Sequence, residues 1–463
     1  MVILGAGLGG LSAAWVLQRA GYSVTLIEKS DVAGGLAISK QRGAFRYDLG
    51  PHNIHSVHRH ILDFFARTFP SSWIEHALGM TLLKRGKYVP YPLQGIKVLT
   101  WLPLWKLPLA AWSFFFARVR MFVRWPKQDA SFLDWITNRF GAVLYGEYFG
   151  PYAEKVWGIP ASGIDKYVAE KRVPIINLTE LIAAAVFGKK PAGAMHDEFQ
   201  AHNYYLRRGV GELPEFFHRG ALEAGAKVRF GTSPLAIRTE GQRVVAVKVQ
   251  GAGGVDELPC DFLLSTIPLN ESVPLFEGVP EDVRAAATAL DYCSAVLVFL
   301  QIGRREPTPS EMLYLSAQHV RFSRVTDFGR YSKDMVPEGK TLLCAEFPCN
   351  HGDALWAASD EALAQEAEKE LIDAGTLRPG DVEGSFCERV SHSYPRFRVG
   401  FQGRVAQCFD FFGRFDNFAS YGRQGGFEYL NTDNVVNLGF KAATAVMGGA
   451  AMGYTCQQWL SSK

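Results

Sequence analysis

Hydrophobic and polar positions change their period twice within residues 1–30. Residues 2–4 form a short apolar run, residues 11–20 place apolar side chains at helical spacing, and residues 22–27 again resemble a strand. A glycine-rich segment separates the first strand from the helix. This order predicts a βαβ unit at the start of an α/β fold.

The rest of the chain predicts further helices and strands without an internal repeat. In chain order these elements are a helical, Trp- and Phe-rich segment over 76–201, a β-meander over 226–250, a buried strand over 261–269, two β-rich runs between 290 and 350, an acidic amphipathic helix after them, and a C-terminal helix that follows a glycine-rich turn and ends at Gly448 and Gly449. The change from helical to strand patterns predicts more than one structural unit.

Length and composition indicate a large globular protein. The 463 residues exceed what one core usually reaches, and 48% hydrophobic with 21% charged residues excludes a disordered chain. The formal net charge is only +3, which excludes a nucleic-acid partner on overall charge.

Cysteine usage and the N-terminus bear on location. The seven Cys residues form no CxxC pair, so we expect no zinc or other metal site, no disulfide framework and a reducing compartment. The chain opens on an apolar strand without a basic leader, so no secretory signal is expected. The most apolar stretch, residues 107–117, is too short to span a bilayer of about 30 Å. These features predict a cytoplasmic protein.

The glycine-rich segment matches GxGxxG between strand and helix. Gly5 permits a tight turn, Gly7 lets a pyrophosphate approach the backbone, and Gly10 lets helix and strand pack closely. Glu28 lies 18 residues beyond Gly10, at the end of the second strand, where a carboxylate accepts hydrogen bonds from adenosine ribose hydroxyls. Strand, helix and terminal acid together predict a dinucleotide site.

The stretch after the acid distinguishes two dinucleotides. The segment EKSDVAGGLA adds a second glycine pair, Gly34 and Gly35, and resembles the FAD-binding signature of the glutathione-reductase-like flavoproteins. This resemblance implies FAD as the cofactor and a C-terminal segment that returns to cover the flavin. In that segment Asp433 is assigned to the cofactor, and the last helix is expected to start near Val435.

Six further motifs occur in the order of one flavoprotein family. They are DLGPHNIHS (48–56), VPYPLQ (89–94), YAEKVWG with KRVP (152–174), FSRVTDFGRYS (322–332), SYP (393–395) and GRQGGFEYLNTDN (422–434). Together they resemble UDP-galactopyranose mutase, particularly its longer, eukaryotic-type form. Protoporphyrinogen-oxidase-like and amine-oxidase-like flavoproteins share the first glycine motif and the last helix.

The mutase resemblance assigns roles residue by residue. It places His52 on a loop against the flavin, and it brings Arg172 and Arg324 to the substrate near its diphosphate or flavin N5; these three are the expected catalytic residues. The residues assigned to substrate binding are Tyr91, Gln94, Trp157, Tyr394 and Tyr429. The same resemblance implies that Arg423 touches the FAD. Arginine and tyrosine suit this role because a diphosphate carries about two negative charges, which guanidinium forks and phenols can hold.

The same resemblance implies a reaction on a nucleotide sugar. N5 of the reduced flavin attacks the anomeric carbon as UDP leaves, and the sugar recloses through its other ring hydroxyl, so pyranose and furanose forms interconvert without net redox change. NAD(P)H or another donor reduces the flavin beforehand, and the sequence holds no second dinucleotide motif. The protein's share is positioning and electrostatics.

The motifs divide the chain into three interleaved units. We expect a discontinuous Rossmann-like FAD-binding domain of the glutathione-reductase-like type over 1–75, 202–270 and 400–463, a helical insert over 76–201, and a substrate-binding sheet domain over 271–399. The fold class is therefore α/β, with an inserted mixed α+β substrate domain and a helical subdomain.

Two other functions remain open from the sequence. An FAD-dependent oxidoreductase of the amine-oxidase, protoporphyrinogen-oxidase or desaturase type would take hydride from an apolar or cationic substrate. Such a site does not need the phosphate-binding set Arg172, Arg324, Tyr394 and Tyr429. This set favours the mutase. A non-enzymatic FAD-binding protein is the third alternative.

The sequence contains no Asp or Glu between His76 and Gln128. The basic residues of this stretch lie among many Trp, Phe and Leu and are Lys84, Arg85, Lys87, Lys97, Lys106, Arg118, Arg120, Arg124 and Lys127. Such a segment predicts either peripheral contact with an anionic membrane through 96–127 or a helical subdomain with an aromatic core and solvated basic residues.

Overall fold

The computed structural model of the chain describes residues 1–56, 58–76, 79–84, 86–91, 102–123, 129–173, 203–449 and 458. Its strands are β1 Val2–Leu4, β2 Thr25–Ile27, β3 Ser39–Arg42, β4 Phe45–Asp48, β5 Trp73–His76, β6 Met80–Lys84, β7 Lys87–Pro90, β8 Asn203–Leu206, β9 Lys227–Arg229, β10 Ser233–Glu240, β11 Arg243–Gly251, β12 Gly254–Pro259, β13 Leu263–Ser265, β14 Tyr292–Ile302, β15 Met312–Leu315, β16 Arg324–Asp327, β17 Thr341–Cys349, β18 Val382–Pro395 and β19 Phe418–Ser420.

The helices occur mainly in the first half of the chain and at its C-terminal end. They are α1 Leu8–Arg19, α2 Arg59–Thr68, α3 Leu107–Val123, α4 Phe132–Leu144, α5 Gly150–Trp157, α6 Lys166–Arg172, α7 Glu212–Glu223, α8 Leu269–Ser272, α9 Glu281–Thr288, α10 Phe328–Tyr331, α11 Asp360–Asp373, α12 Phe401–Phe412, α13 Gly422–Gly425 and α14 Thr432–Gly448. A 3₁₀ turn at Leu104–Lys106 precedes α3, and a π-helical turn at Tyr145–Phe149 joins α4 to α5. Within the described ranges, none of the helices has the length and apolar character needed to cross a membrane.

β1 is the middle strand of a five-stranded parallel sheet with the order β19, β13, β1, β2, β9. Every pairing in this sheet is parallel, and β1, β13 and β19 are completely buried. α1 connects β1 to β2 and packs against α7 and α14. The predicted βαβ unit is confirmed, and it forms the centre of an α/β layer.

A seven-stranded sheet with the order β18, β14, β17, β16, β15, β6, β7 forms a second layer. The two predicted β-rich runs are β14 and β17, which are antiparallel neighbours in it. The predicted acidic helix is α11, whose apolar side chains Leu363, Ala367 and Leu371 are buried in one core with residues of β14 and β17. These predictions are confirmed.

Part of the segment that the sequence predicts as helical is a β-hairpin. β6 and β7 pair antiparallel at the edge of the seven-stranded sheet, and β6 also pairs in parallel with β15. Leu82 and Val89 lie opposite each other in the hairpin, and both are buried. Burial against the sheet overrides the local pattern. The prediction of helix throughout 76–201 is therefore wrong at residues 80–90, and residues 174–202 lie outside the described part of the chain.

The predicted β-meander over 226–250 is divided between two sheets. β9 pairs in parallel with β2 and forms an edge of the five-stranded sheet. β10, β11 and β12 form a separate antiparallel sheet, with Gly241 in the turn between β10 and β11. The prediction of one meander is wrong for β9, because its partner β2 lies far away in sequence and alternation alone does not reveal it.

α3 and α4 form a tightly packed helical pair. Ser131 caps α4, since its Oγ accepts a hydrogen bond from the Asp134 backbone N–H at 3.1 Å and the Asp134 carboxylate accepts one in return from the Ser131 backbone. α4 bends at Gly141, where a Cβ would lie 2.6 Å from Ser113 Oγ of α3. The bend and the missing side chain let the two helices approach closely.

α14 is the predicted C-terminal helix. It begins at Thr432, three residues before the expected start at Val435, and ends at Gly448 as predicted. It crosses α1 at Gly439, where a Cβ would lie 2.0 Å from Ser12 Oγ and 2.7 Å from the carbonyl oxygen of Gly9. The absence of a side chain at this position sets the distance between the two helices.

Two glycines of α14 are expected to respond oppositely to alanine. Gly439→Ala should lower the free energy of unfolding by about 1–3 kcal/mol, since its Cβ would collide with α1. Gly448→Ala has no atom within 4 Å of its Cβ and should raise this free energy by up to about 1 kcal/mol, because alanine favours the helix. Urea unfolding followed by circular dichroism measures both changes. Equal effects of the two substitutions would contradict a close α1–α14 contact.

Candidate active site

Two glycine loops meet where β1 and β2 end. Gly7 and Gly34 form a β-bridge, and a Cβ on Gly35 would lie 3.2 Å from the Cα of Gly7. A Cβ on Gly10 would lie only 2.1 Å from the carbonyl oxygen of Gly5. Side chains would block this approach, so the five predicted glycines form a cradle of bare backbone.

α1 begins in this cradle without a side-chain cap. Its N-cap residue is Gly7, which has no side chain to accept hydrogen bonds from the first turn. The N–H groups of that turn lack partners within the helix and carry partial positive charge. They are the donors that a dinucleotide pyrophosphate needs.

Glu28 connects the two loops at the end of β2. Its Oε2 accepts a hydrogen bond from the Ala6 backbone N–H at 2.8 Å, and its Oε1 accepts from the backbone N–H and the hydroxyl of Ser30 at 3.0 and 2.9 Å. A carboxylate oxygen has two lone pairs, so Oε2 retains one acceptor position for a ribose hydroxyl. The Glu28 carboxylate therefore holds the Ala6 backbone in place and can also accept the ribose hydrogen bond that the sequence predicts.

Buried polar atoms without hydrogen-bond partners occur on two neighbouring segments. The segments touch through the Asn431 Nδ2 and His55 Nε2 atoms, which lie 3.1 Å apart. The unpaired atoms are Asn53 Oδ1 and His55 Nδ1 on the loop after β4, and Arg423 Nε, Gln424 Oε1, Asp433 Oδ2 and Asn437 Nδ2 on the C-terminal segment. A buried polar atom left unpaired costs about 1–3 kcal/mol. A polar ligand with donors and acceptors on one edge would satisfy several of them.

These features fit FAD. The glycine cradle and the N-terminus of α1 would hold the pyrophosphate, and Glu28 would hold the ribose. The unpaired Arg423 and Asp433 atoms would face the polar edge of the ring system. Asp433 lies in the first turn of α14, where burial raises the pKa of its carboxyl although Ser56 donates a hydrogen bond to it. The C-terminal segment is next to the cradle, since Tyr421 donates to the Gly9 carbonyl oxygen at 3.1 Å.

His52 lies above a buried carboxylate. Asp48 accepts hydrogen bonds from Ser39 Oγ at 2.5 Å and from Tyr205, and burial raises the pKa of its carboxyl to about 6 against their effect. His52 Nδ1 lies 4.0 Å from Asp48 Oδ2 and 3.0 Å from the Gly50 carbonyl oxygen. Burial lowers the pKa of His52 to about 4, and two nearby arginines add to this. The imidazole is therefore neutral at pH 7, with Nδ1–H assigned to Gly50 and Nε2 left as an acceptor.

Arginine and tyrosine side chains from distant segments meet in one half-buried cluster. Tyr394 and Tyr429 stack with ring centroids 5.5 Å apart and planes within 4° of parallel. The Arg172 guanidinium carbon lies 3.9 Å from the Tyr429 ring centroid, and that of Arg423 lies 5.0 Å from the same centroid. Arg172 is exposed to solvent, so this wall is accessible to a ligand. We call Arg172, Arg324, Arg423, Tyr314, Tyr394 and Tyr429 the arginine–tyrosine cluster.

Arg324 is held in the cluster by a carboxylate. Its Nε and Nη2 donate to the two oxygens of Glu346 at 2.7 and 2.8 Å, because the two residues are directly opposite in the antiparallel pair of β16 and β17. The Arg324 guanidinium carbon lies 5.9 Å from the Tyr314 ring centroid. This bidentate pair fixes the plane of the guanidinium.

The two stacked tyrosines differ in acidity. Burial alone raises the pKa of Tyr429, but the positive charges of Arg172, Arg423 and Arg324 outweigh burial and hold this pKa below its ordinary value. Burial raises the pKa of Tyr394 to about 12, and the neighbouring Tyr429 adds to the rise. Tyr429 is therefore the stronger hydrogen-bond donor of the pair.

The remaining predicted substrate residues are placed differently. The Tyr91 ring lies 4.7 Å from that of Tyr314 and so adjoins the cluster. Trp157 is buried in the core, with its ring 5.6 Å from that of Phe397 and its carbonyl oxygen accepting from Cys293 Sγ. This environment gives Trp157 a packing role. Gln94 lies outside the described residues.

Three residues of the site have no role predicted from the sequence. Glu346 is the single acid in the apolar run of β17, and an isolated acid in a buried strand is a signal that could have identified it. Asp48 belongs to the motif that contains His52 but has no assigned role there. Tyr314 has no sequence signal, because only the pairing of β15 with β16 brings it to Arg324.

Metal ligands do not gather in the described part of the chain. No three His, Cys, Asp or Glu side chains there are placed to hold a metal ion. The cysteines in the same ranges are free thiols, and those at positions 260, 293, 344, 349 and 408 are buried.

Comparisons with known proteins support the assignment of a flavin. Residues 3–68 match the NAD(P)-binding Rossmann-like domain family, and residues 172–388 match the family of flavin containing amine oxidoreductases. The crystal structure of a reduced UDP-galactopyranose mutase matches with a TM-score of 0.83 at 23% identity, over 100% of this chain and 97% of the mutase chain. At this identity the similarity shows the fold.

Two proteins of similar sequence have different chemistry in their names. The 4,4'-diapolycopene oxygenase of Methylomonas sp is 24% identical over 473 residues, which cover 96% of this chain and 90% of the oxygenase. The UDP-galactopyranose mutase of Mycoplasma pneumoniae is 25% identical over 171 residues, which cover 36% of this chain and 42% of the mutase.

The two family matches identify the class of protein. It is a flavin-dependent enzyme of the amine oxidase/FAD-binding superfamily, with an α/β Rossmann-like FAD-binding fold and an amine-oxidase-like domain. The glutathione-reductase-like subclass stays a prediction.

A side chain at Gly10 is expected to expel the cofactor. In Gly10→Ala the Cβ would lie 2.1 Å from the Gly5 carbonyl oxygen, so α1 must shift away from the pyrophosphate position. The ratio of flavin absorbance to absorbance at 280 nm should fall to about a tenth of the wild-type ratio or less. Gly403→Ala, with no atom within 4 Å of the new Cβ, is the matched control and should retain FAD. Full FAD content in Gly10→Ala would contradict the cradle.

His52 is expected to make the folded protein sensitive to acid. Its pKa is about 4 in the folded state against 6.5 in the ordinary case, so the unfolded state binds the proton first as pH falls. As pH falls from 6.5 to about 4, the free energy of unfolding of the wild type should therefore decrease relative to that of His52→Gln. Above pH 6.5 the difference between the two proteins should not change with pH. Urea midpoints of both proteins across this range provide the measurement. A difference that does not change with pH would show that His52 is not buried as described.

Proposed function

We propose that the protein is an FAD-dependent mutase that acts on a nucleotide sugar and interconverts the pyranose and furanose forms of the sugar. The observation that supports this function is the arginine–tyrosine cluster. It gathers cationic and phenolic groups from α6, β15, β16, β18 and the C-terminal segment into one solvent-accessible wall. A ligand that bears a pyrophosphate needs such a set.

The charge of the cluster suits a diphosphate. Its three arginines carry three positive charges, and Glu346 beside Arg324 carries one negative charge, which leaves two positive charges. The diphosphate bridge of a nucleotide sugar, esterified at both ends, carries about two negative charges. A half-buried guanidinium such as that of Arg423, whose Nε has no hydrogen-bond partner among the described residues, is costly unless an anion joins it. The ligand would therefore complete the electrostatics of the pocket.

The arginines have separable roles in this proposal. Arg172 is exposed, and its guanidinium lies over the Tyr429 ring and forms a hydrogen bond with the Tyr429 side chain, so its other N–H groups are available to a phosphate oxygen. Arg324 is oriented by Glu346 and stabilises developing negative charge on the leaving diphosphate. The Arg423 guanidinium lies over the rings of Tyr394 and Tyr429, and its buried Nε has no hydrogen-bond partner among the described residues. In this proposal Arg423 contacts the flavin.

The other groups position the substrate and hold protons. FAD in its reduced form supplies the covalent chemistry at the sugar when it is bound. The acidic Tyr429 phenol donates a strong hydrogen bond to a phosphate oxygen, and Tyr394 supports it through the stacked rings. Neutral His52 presents an acceptor nitrogen to a sugar or ring N–H or O–H group. No proton transfer by a charged side chain is required.

An oxidoreductase that acts on an apolar substrate is the second candidate. It is favoured by the similarity to 4,4'-diapolycopene oxygenase, which extends over 96% of this chain. A polyene would lie against the arginine–tyrosine cluster and would leave its charges without water or counter-ion. For that reason the mutase is the better explanation of the pocket.

Anaerobic turnover distinguishes these functions. Protein reduced with dithionite is expected to convert UDP-galactopyranose into its furanose form, measured by anion-exchange chromatography of the nucleotide sugars, and oxidised protein is not. Other UDP-sugars tested in the same way define the sugar. Oxygen uptake or desaturation with phytoene, without any sugar conversion, would overturn the mutase and support the second candidate.

A binding experiment tests the same site independently of turnover. Arg172→Ala should weaken UDP binding by about 10- to 100-fold in isothermal titration, since a charge-assisted contact to phosphate is lost. Arg321→Ala is the matched control, because Arg321 is paired with Glu366 on the surface, and UDP affinity should not change. Equal affinities of Arg172→Ala and wild type would contradict the diphosphate site.

A further inference from the structure

α3 exposes its large apolar side chains to solvent. Trp112 is 63% exposed, Phe116 52% and Val123 73%. The exposed apolar residues of the helix and of the turn before it are Leu104, Trp105, Leu109, Trp112, Phe115, Phe116, Val119 and Val123. We call them the apolar face of α3. A contiguous exposed patch of this kind marks an interaction surface.

The spacing of these residues places them along one side of the helix. Trp105, Leu109, Trp112, Phe116, Val119 and Val123 follow one another at intervals of four and three residues. Their rings are in contact, since the Trp112 and Phe116 centroids lie 4.8 Å apart and those of Trp112 and Phe115 lie 6.3 Å apart. The face is therefore one continuous aromatic and aliphatic surface.

The described side chains of α3 that are fully buried are small, and Leu107 is partly buried beside them. Ala110 and Ala117 are buried, and Ser113 contacts α4 at Gly141. A helix of a water-soluble protein normally buries its large apolar residues and exposes polar ones. α3 has the reverse arrangement. Its packing on α4 does not use the apolar face, so that face is available for an external partner.

The sequence segment that contains the apolar face carries charged residues of one sign. The sequence from His76 to Gln128 has basic residues and no Asp or Glu. Arg120 is exposed beside the face, and the Arg118 guanidinium lies over the Phe114 ring with a buried Nε that has no hydrogen-bond partner. Lys106 is neutralised by Glu147. The remaining positive charge would oppose a second copy of the same surface and attract an anionic one.

Length and orientation favour a surface that lies parallel to the helix. The 17 residues of α3 extend over about 25 Å, and α4 packs against α3 at Ser113, between the buried Ala110 and Ala117. A helix held from one side in this way can lie in the plane of a membrane interface but cannot cross it. Trp and Phe are side chains suited to the boundary between headgroups and acyl chains.

We propose that the apolar face of α3 docks the enzyme on the surface of an anionic lipid bilayer. Trp105, Trp112 and Phe116 enter the boundary between headgroups and acyl chains, and Arg120 contacts lipid phosphates. The docking surface is separate from the arginine–tyrosine cluster and does not depend on the identity of the substrate.

Vesicle flotation with the FAD-loaded full chain tests this surface. Wild-type protein should float with vesicles of equal phosphatidylglycerol and phosphatidylcholine and much less with pure phosphatidylcholine, and added salt should weaken the binding. Trp112→Ser with Phe116→Ser should lower the partition coefficient at least about tenfold. Arg120→Glu should lower it at least about fivefold on the anionic vesicles.

Matched controls lie on a remote sheet. Leu235→Ser with Val255→Ser removes two other exposed apolar side chains, on β10 and β12, and Lys248→Glu reverses an exposed charge on β11. These variants should bind vesicles like the wild type. All variants change exposed residues, and flavin absorbance with the unfolding temperature verifies that each one is folded.

Three results would overturn the proposal. One is the absence of wild-type binding to anionic vesicles. Another is equal binding by the wild type and the Trp112→Ser, Phe116→Ser variant. The third is a concentration-dependent dimer that the same variant abolishes while vesicle binding is absent, because this would assign the apolar face to a second copy of the chain.

Discussion

Three guanidinium groups in one half-buried pocket repel one another, and the fold must offset this repulsion. Arg324 has a bidentate carboxylate partner in Glu346, whereas Arg172 and Arg423 lie on the faces of stacked phenols. These arginines come from β16, α6 and α13. The pocket therefore exists only when the helical insert, the seven-stranded sheet and the C-terminal segment are assembled together. An anion at the centre of the cluster would stabilise that assembly as well as occupy the site.

Proteins that resemble this chain have names that denote different reactions, a mutase and an oxygenase. The cofactor performs the chemistry, so the side chains on the pocket wall decide which substrate reaches it. Here the wall is cationic and phenolic, and the nearby histidine is neutral because burial and two arginines lower its pKa. A neutral His52 also avoids a further positive charge next to Arg423 and Arg324. The wall thus combines cationic and phenolic groups with a neutral imidazole, as the proposed anionic substrate requires.

Local features of the site were accessible from the sequence, and long-range ones were not. The glycine cradle and Glu28 depend on neighbours within one βαβ unit, and their spacing specifies their geometry. Glu346 reaches Arg324 only through the register of β16 on β17, and the hairpin of β6 and β7 joins the seven-stranded sheet through the pairing of β6 with β15. Such pairings join segments that are far apart in sequence, and the local pattern of apolar and polar residues does not predict them. For the apolar face of α3, the sequence shows the Trp and Phe residues but not whether they are exposed. Their exposure depends on which side of α3 packs against Gly141.

The helical insert connects the apolar face to the pocket through one continuous path. α4 lies against α3, continues through the π-helical turn into α5, and α5 carries Tyr152, whose ring lies 6.1 Å from that of Tyr314. Lys155 fixes α5 to the sheet domain by donating to the carbonyl oxygens of Leu315 and Ala317 at 2.8 and 2.6 Å, and burial lowers the pKa of its ammonium group to about 8. α4, in contrast, bends at Gly141 and is followed by the π-helical turn. Contact through α3 would therefore orient the pocket relative to a surface, while the Lys155 hydrogen bonds hold α5 against the end of β15, the strand that carries Tyr314.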